Sequence, residues 1–164
     1  MADQLEEILQ TLRRREGYAD SSRPISQQEI ALVESSLVVI LPADYKQFLA
    51  QRGYVEWFGH VIFGIAPDPE NSVVENTIAA REAELPPDFI GIPEKAIVVK
   101  EYGGGGSYIL HAADAQRAGL VSLVLDELFG REAMYWTSFL AFLDSIVNGT
   151  RNWISVQPDL PLDT

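Results

Sequence analysis

The hydrophobic period of this chain changes near Gly53, and that switch limits the folds open to it. Before it, apolar residues recur at helical spacing; after it, short β-branched and aromatic runs dominate. In residues 3–16, Leu5, Ile8, Leu9 and Leu12 form one stripe, acidic residues lie near the start, and Arg13 to Arg15 and Gly17 close the segment, as a helix dipole and C-cap prefer. In "ISQQEIALVESSL", Ser26 and Glu29 make a capping box, Ile25 and Ile30 a hydrophobic staple, and Ile30, Val33 and Leu37 a buried face. "VVILP" breaks that helix. A third, "ADYKQFLAQRG", opens at Pro42, stops at Gly53 and offers Tyr45, Phe48 and Leu49 to a core.

Beyond the switch, residues 54–65 read as a hairpin or a kinked strand at Gly59. Ser72 and Glu75 open another helix, which Pro86 and Pro87 end. Strand-like runs come next at "KAIVVKEY", "SYILHA" and "LVSLVLD". An amphipathic helix, "TSFLAFLDSIVN", turns Phe139, Phe142, Leu143 and Ile146 inward. This order predicts a single α+β domain on one mainly antiparallel sheet. Its divisions are an N-terminal helix and linker at 1–24, the main domain at 25–147, and a tail at 148–164 anchored by Trp153.

Charge narrows the partners. Twenty-four acidic against twelve basic residues give −12, which disfavours direct binding to nucleic acid or an anionic membrane. The excess is greatest in residues 53–101, with nine acidic and three basic residues. It serves solubility, or it presents an acidic surface to a basic protein; the sequence leaves both open. The acidic start "MADQLEEILQ" does not read as a signal peptide, and a cysteine-free chain fits a reducing compartment, so the cytoplasm is expected.

Catalytic chemistry is hard to find. His60 and His111 are the only histidines, neither in a metal-binding pair, and His60 reads as a partly buried structural residue. Asp126 and Glu127 would point to opposite faces of a strand, and Asp68, Glu70 and Glu75 lack the spacing of a calcium loop. Gly103 to Gly106 match neither a dinucleotide fingerprint nor a Walker loop. A strand-like run comes after them, whereas phosphate sites need a helix N-terminus. A hairpin tip is the stronger account. No catalytic residue, cofactor or metal is expected.

The motif order resembles the SUKH superfamily. The matching residues are Ile30, Glu34, Leu37, Leu41, Pro42, Tyr45, Phe48, Leu49 and Gly53, followed by "IFGI", "LPPDFIGI", "GGGGSYIL" and "SFLAFLDSIV". The likeness spans about 25–147, and the leucine-proline-aromatic-lysine step is its most specific part. One departure is His111, where the family often has an acidic residue; Asp114 stands three residues later. The resemblance implies a curved antiparallel sheet flanked by helices and no catalysis. It further implies an immunity protein that binds a secreted bacterial toxin, often a nuclease or nucleic-acid deaminase, or alternatively a regulatory adaptor. Acidity suits a basic toxin, so Glu56, Asp68, Glu70 and Glu75 are the expected partner-binding residues. Trp57 joins them as an aromatic anchor, although its place in a strand also suits a core residue.

Overall fold

The computed structural model describes residues 2–156. Helix α1 (Ala2–Arg13) is followed by the short strand β1 (Ala19–Asp20), then α2 (Gln27–Leu37) and α3 (Ala43–Arg52). Strands β2 (Val55–Trp57) and β3 (His60–Ile62) form a hairpin, and α4 (Val73–Glu82) leads to β4 (Ala96–Glu101). Then come β5 (Gly106–His111), β6 (Val121–Leu125), β7 (Arg131–Trp136), α5 (Phe139–Asn148) and β8 (Ile154–Ser155). Among the described residues the strands make two antiparallel sheets, β1-β2-β3 and β4-β5-β6-β7-β8. Together with five helices they form a single α+β domain. The Phe63 N–H donates to the Val99 carbonyl at 2.8 Å and joins the sheets.

Local signals explain the helical half. The Ser26 hydroxyl accepts the Glu29 N–H, while the Glu29 carboxylate accepts the Ser26 N–H at 2.9 Å, closing the capping box. Arg23 and then Ser26 hold the Glu29 carboxyl down to about 2. The leucine-proline step is held by one side chain. The Glu34 carboxylate accepts the Leu41 N–H at 2.8 Å and pairs with Lys46 Nζ at 2.6 Å. Burial opposes its ionisation, but Lys46 and the Leu41 N–H outweigh that and keep its pKa below the usual range.

The core joins all five helices to the sheet. Tyr45, Phe48 and Phe139 are fully buried, and the Tyr45 and Phe139 rings meet edge-on at 4.9 Å. The Tyr45 hydroxyl donates to the Phe63 carbonyl at 2.7 Å, so a buried phenol finds its acceptor. Helix α1 buries Leu5, Ile8, Leu9 and Leu12 and packs along α5. Arg15 reaches across to donate to the Val147 carbonyl at 2.9 Å, closing the C-terminal end of α5.

The glycine tract is a hairpin tip between β4 and β5. Gly105 and Gly106 have φ of +89° and +134°, and a Cβ on Gly106 would lie 2.2 Å from the Val124 carbonyl oxygen. The close approach of β6, with the left-handed turn, requires glycine there.

Three elements differ from expectation. β7 and β8 continue the sheet past β6, and β1 begins the other. β7 escaped notice because "REAMYW" carries charges, and a register shift at Leu123/Val124 breaks its alternation. The tail runs into β8, and Trp153 packs on Trp136 at 6.4 Å. The tail's remainder, from residue 157, lies outside the described residues.

Candidate partner-binding site

A cleft of about 1050 Å³ opens on one face of the larger sheet. Its floor is built by strand alternation. Register pairs place Tyr108 beside Leu123 and Leu123 beside Met134, with Trp136 at the end of β7. Ile146 of α5 and Trp153 of the tail form a wall. The Tyr102, Tyr108 and Trp136 rings succeed one another at 6.0 Å and 5.7 Å between centroids. Burial pushes the Tyr108 phenol up to about 12, so it stays protonated. The Trp136 indole N–H is buried with no hydrogen-bond partner among the described residues.

Charge is divided between floor and rim. Glu70, Glu101 and Glu127 line the cleft's border. Lys100 sits half-buried, with its ammonium 5.7 Å from the Tyr108 ring centre, and donates to the Glu101 carbonyl at 3.0 Å. Burial lowers its pKa, and no carboxylate among the described residues pairs with it. His60 is exposed at the rim, not buried as expected, and partial desolvation with the nearby Lys100 holds its imidazolium below its ordinary pKa.

Only part of the expected set gathers here. Glu70 lines the cleft; Asp68 accepts the Glu70 N–H and caps the short helical turn, and Glu75 stands exposed in the first turn of α4. Glu56 is half-buried on β2, opposite Ala19 and Val61. Trp57 is 5% exposed and tilts against His60 at 5.4 Å, so most of its surface faces the core. Residue reading missed Lys100, Met134, Trp136 and Trp153 as lining residues. Recognising β7 is the signal that places two of them.

A serine and a histidine do meet, on the opposite face of the sheet. His111 Nε2 lies 3.0 Å from Ser122 Oγ, and the Ser122 hydroxyl donates to Glu132 at 2.8 Å. Arg117 grips Glu132 with both guanidinium nitrogens. Because the serine proton is committed to Glu132, Nε2–H of His111 donates to Ser122, so the histidine does not act as base to the hydroxyl. Ser122 is fully buried, so the chain of bonds is structural. Asp114 likewise accepts the Ile40 N–H at 3.2 Å and pairs with Lys95 at 2.8 Å, tying the end of α2 to the sheet. Among the residues described, no group of acidic or histidine side chains could hold a metal ion, and no helix is long and apolar enough to cross a membrane.

A protein-family model described as SMI1-KNR4 cell-wall, the fifth SUKH family, matches residues 3–148. The chain belongs to the SUKH superfamily. No curated protein matches it significantly. The match takes in α1, which the residue-level resemblance left outside, and α1 shares the core of the SUKH domain through α5. In this chain the Glu34–Leu41–Lys46 arrangement holds the leucine-proline-aromatic-lysine step: one carboxylate fixes the turn and the helix after it. SUKH domains are generally non-enzymatic immunity or regulatory proteins.

Proposed function

We propose that the chain is a cytoplasmic immunity protein that neutralises a basic, secreted bacterial toxin by one-to-one binding through the cleft. The observation that supports it best is an aromatic floor framed by Glu70, Glu101 and Glu127, in a SUKH chain of net charge −12. The partly exposed Tyr102 and Trp153 supply apolar contact area, and the rim carboxylates steer a positively charged partner and compete with its nucleic-acid substrate. Neither cofactor nor metal enters this role.

The test is co-expression with the C-terminal domain of the polypeptide encoded immediately upstream. Protection from that domain's toxicity, with a one-to-one complex in solution, is the expected result. Unprotected cells and no complex would overturn the reading. The family description, which names the cell wall, favours a second reading: a regulatory adaptor for an endogenous protein. A complex with a housekeeping protein, and none with the upstream domain, would select it.

A further inference from the structure

Three turns border the cleft, each through a lining residue, while Phe58 and Phe129 themselves stand just outside its lining. They are Phe58–Gly59 between β2 and β3, Tyr102–Gly106 between β4 and β5, and Asp126–Gly130 between β6 and β7. The ladders bring the last two to one end of the sheet, since Gly106 lies opposite Leu125 and Leu125 opposite Arg131. The Asp126 N–H also donates to the Gly105 carbonyl at 3.3 Å. Gly59, Gly103 and Glu127, one from each turn, all line the cleft.

Two of these turns carry an aromatic residue where folding favours a small or polar one. Phe58 has φ 46° and is 72% exposed; Phe129 has φ 56° and is 51% exposed. Each precedes a glycine of positive φ, the setting in which asparagine is preferred because its side chain tolerates the left-handed region. Phenylalanine at such a position strains the backbone and leaves a ring in water. Neither ring belongs to the buried core. Val38 shares the backbone strain, with φ 56°, but it stands at the opposite end of the sheet and its carbonyl is held by Lys95 Nζ at 2.7 Å.

We propose that Phe58 and Phe129 are the apolar anchors of a docking surface at this end of the sheet, and that its occupant is a basic protein domain. The charge around them selects that occupant. Glu101 at the end of β4, Asp126 and Glu127 on the next turn, and Glu70 on the cleft lining are exposed, against Arg131, Arg151 and the half-buried Lys100. An apolar anchor beside exposed carboxylates fits a surface that interleaves arginine or lysine with apolar residues. The proposal rests on the immunity reading and places the toxin's contact on three turns that border the cleft.

The test uses Phe58→Asn, Phe129→Asn and the double variant, with the upstream-encoded toxin domain as probe. Thermal unfolding of each variant alone comes first. Its midpoint should hold or rise by a few degrees, because asparagine relieves the strain; a fall would show that the rings serve the fold and overturn the proposal. Affinity for the probe should drop at least tenfold in each single variant, mainly through faster dissociation. Wild-type affinity in the double variant would overturn the docking surface and leave the immunity reading standing. Failure of the wild-type chain itself to bind would overturn both. Sedimentation closes the last route: a wild-type dimer that the double variant abolishes would assign this end to a second copy and sink the proposal.

Discussion

Residues 25–53 and the turn end of the sheet treat the same problem, how a chain reverses direction, in opposite ways. In the helical segment the reversals are tied back to the fold by hydrogen bonds: Ser26 and Glu29 cap α2, Glu34 takes up the Leu41 N–H and the Lys46 charge, and the strained Val38 gives its carbonyl to Lys95. At the turn end, Phe58 and Phe129 hold left-handed backbone with rings in solvent. The first region ties its turns to the fold through polar side chains, although Leu32, Val38 and Ile40 stay exposed. The second leaves them to something outside it, and that contrast separates architecture from interface more cleanly than charge alone.

The largest expected effect lies in the helical region. Phe48→Ala opens a cavity against Tyr45 and Phe139 and should cost about 3–5 kcal/mol in denaturant unfolding. A loss below about 1 kcal/mol would mean that this core is looser than its contacts indicate. Next, Glu34→Ala strands the Leu41 N–H and Lys46 and should cost about 1–3 kcal/mol. Because the Glu34 pKa is depressed by folding, its contribution is complete above the ordinary carboxylate range and fades as pH falls through the folded value. The wild-type advantage over the variant should therefore shrink in acid.

A third experiment tests the other side of the comparison. Charge reversal at Glu70 or Glu101 should slow association with the toxin domain about tenfold at low salt and weaken its salt dependence, with unfolding midpoints unchanged. Glu56→Lys should do less, since Glu56 sits on β2 outside the cleft lining. Equal effects at all three would shift the contact towards β2 and erase the contrast between frame and turn end. The smallest effect belongs to His111. Burial, then Arg117, lowers its pKa, against the pull of Glu132. Folding thus favours the neutral ring, so stability is complete above the ordinary histidine pKa of about 6.5 and declines as pH falls through the folded value. His111→Asn should flatten that slope; an unchanged profile would exclude the residue from it.

The helices were legible because their signals are local. Ile30, Val33, Leu37, Tyr45, Phe48 and Leu49 are buried as their spacing predicts, and the capping box at Ser26 closes as written. The glycine tract was legible too, because it runs into a strand and not into a helix. β7 was not. Its alternation is broken where the pairing skips Ala133, and without β7 the cleft has no Met134 or Trp136. The acidic set was drawn from local charge density, and the fold brought Glu70 to the cleft but left Glu56 on another sheet. Charge density is read along the chain, whereas a rim is assembled across it.

The bond from Phe63 to Val99 has a mechanical consequence. A continuous ladder would lock the two sheets at a set angle, but a seam behaves as a joint whose setting depends on the side chains packed beside it. Substitutions at Phe63, the residue that makes the seam bond, are expected to shift the β2–β3 hairpin, and Phe58 with it. Jaw width and grip can then drift separately from the stability of the frame.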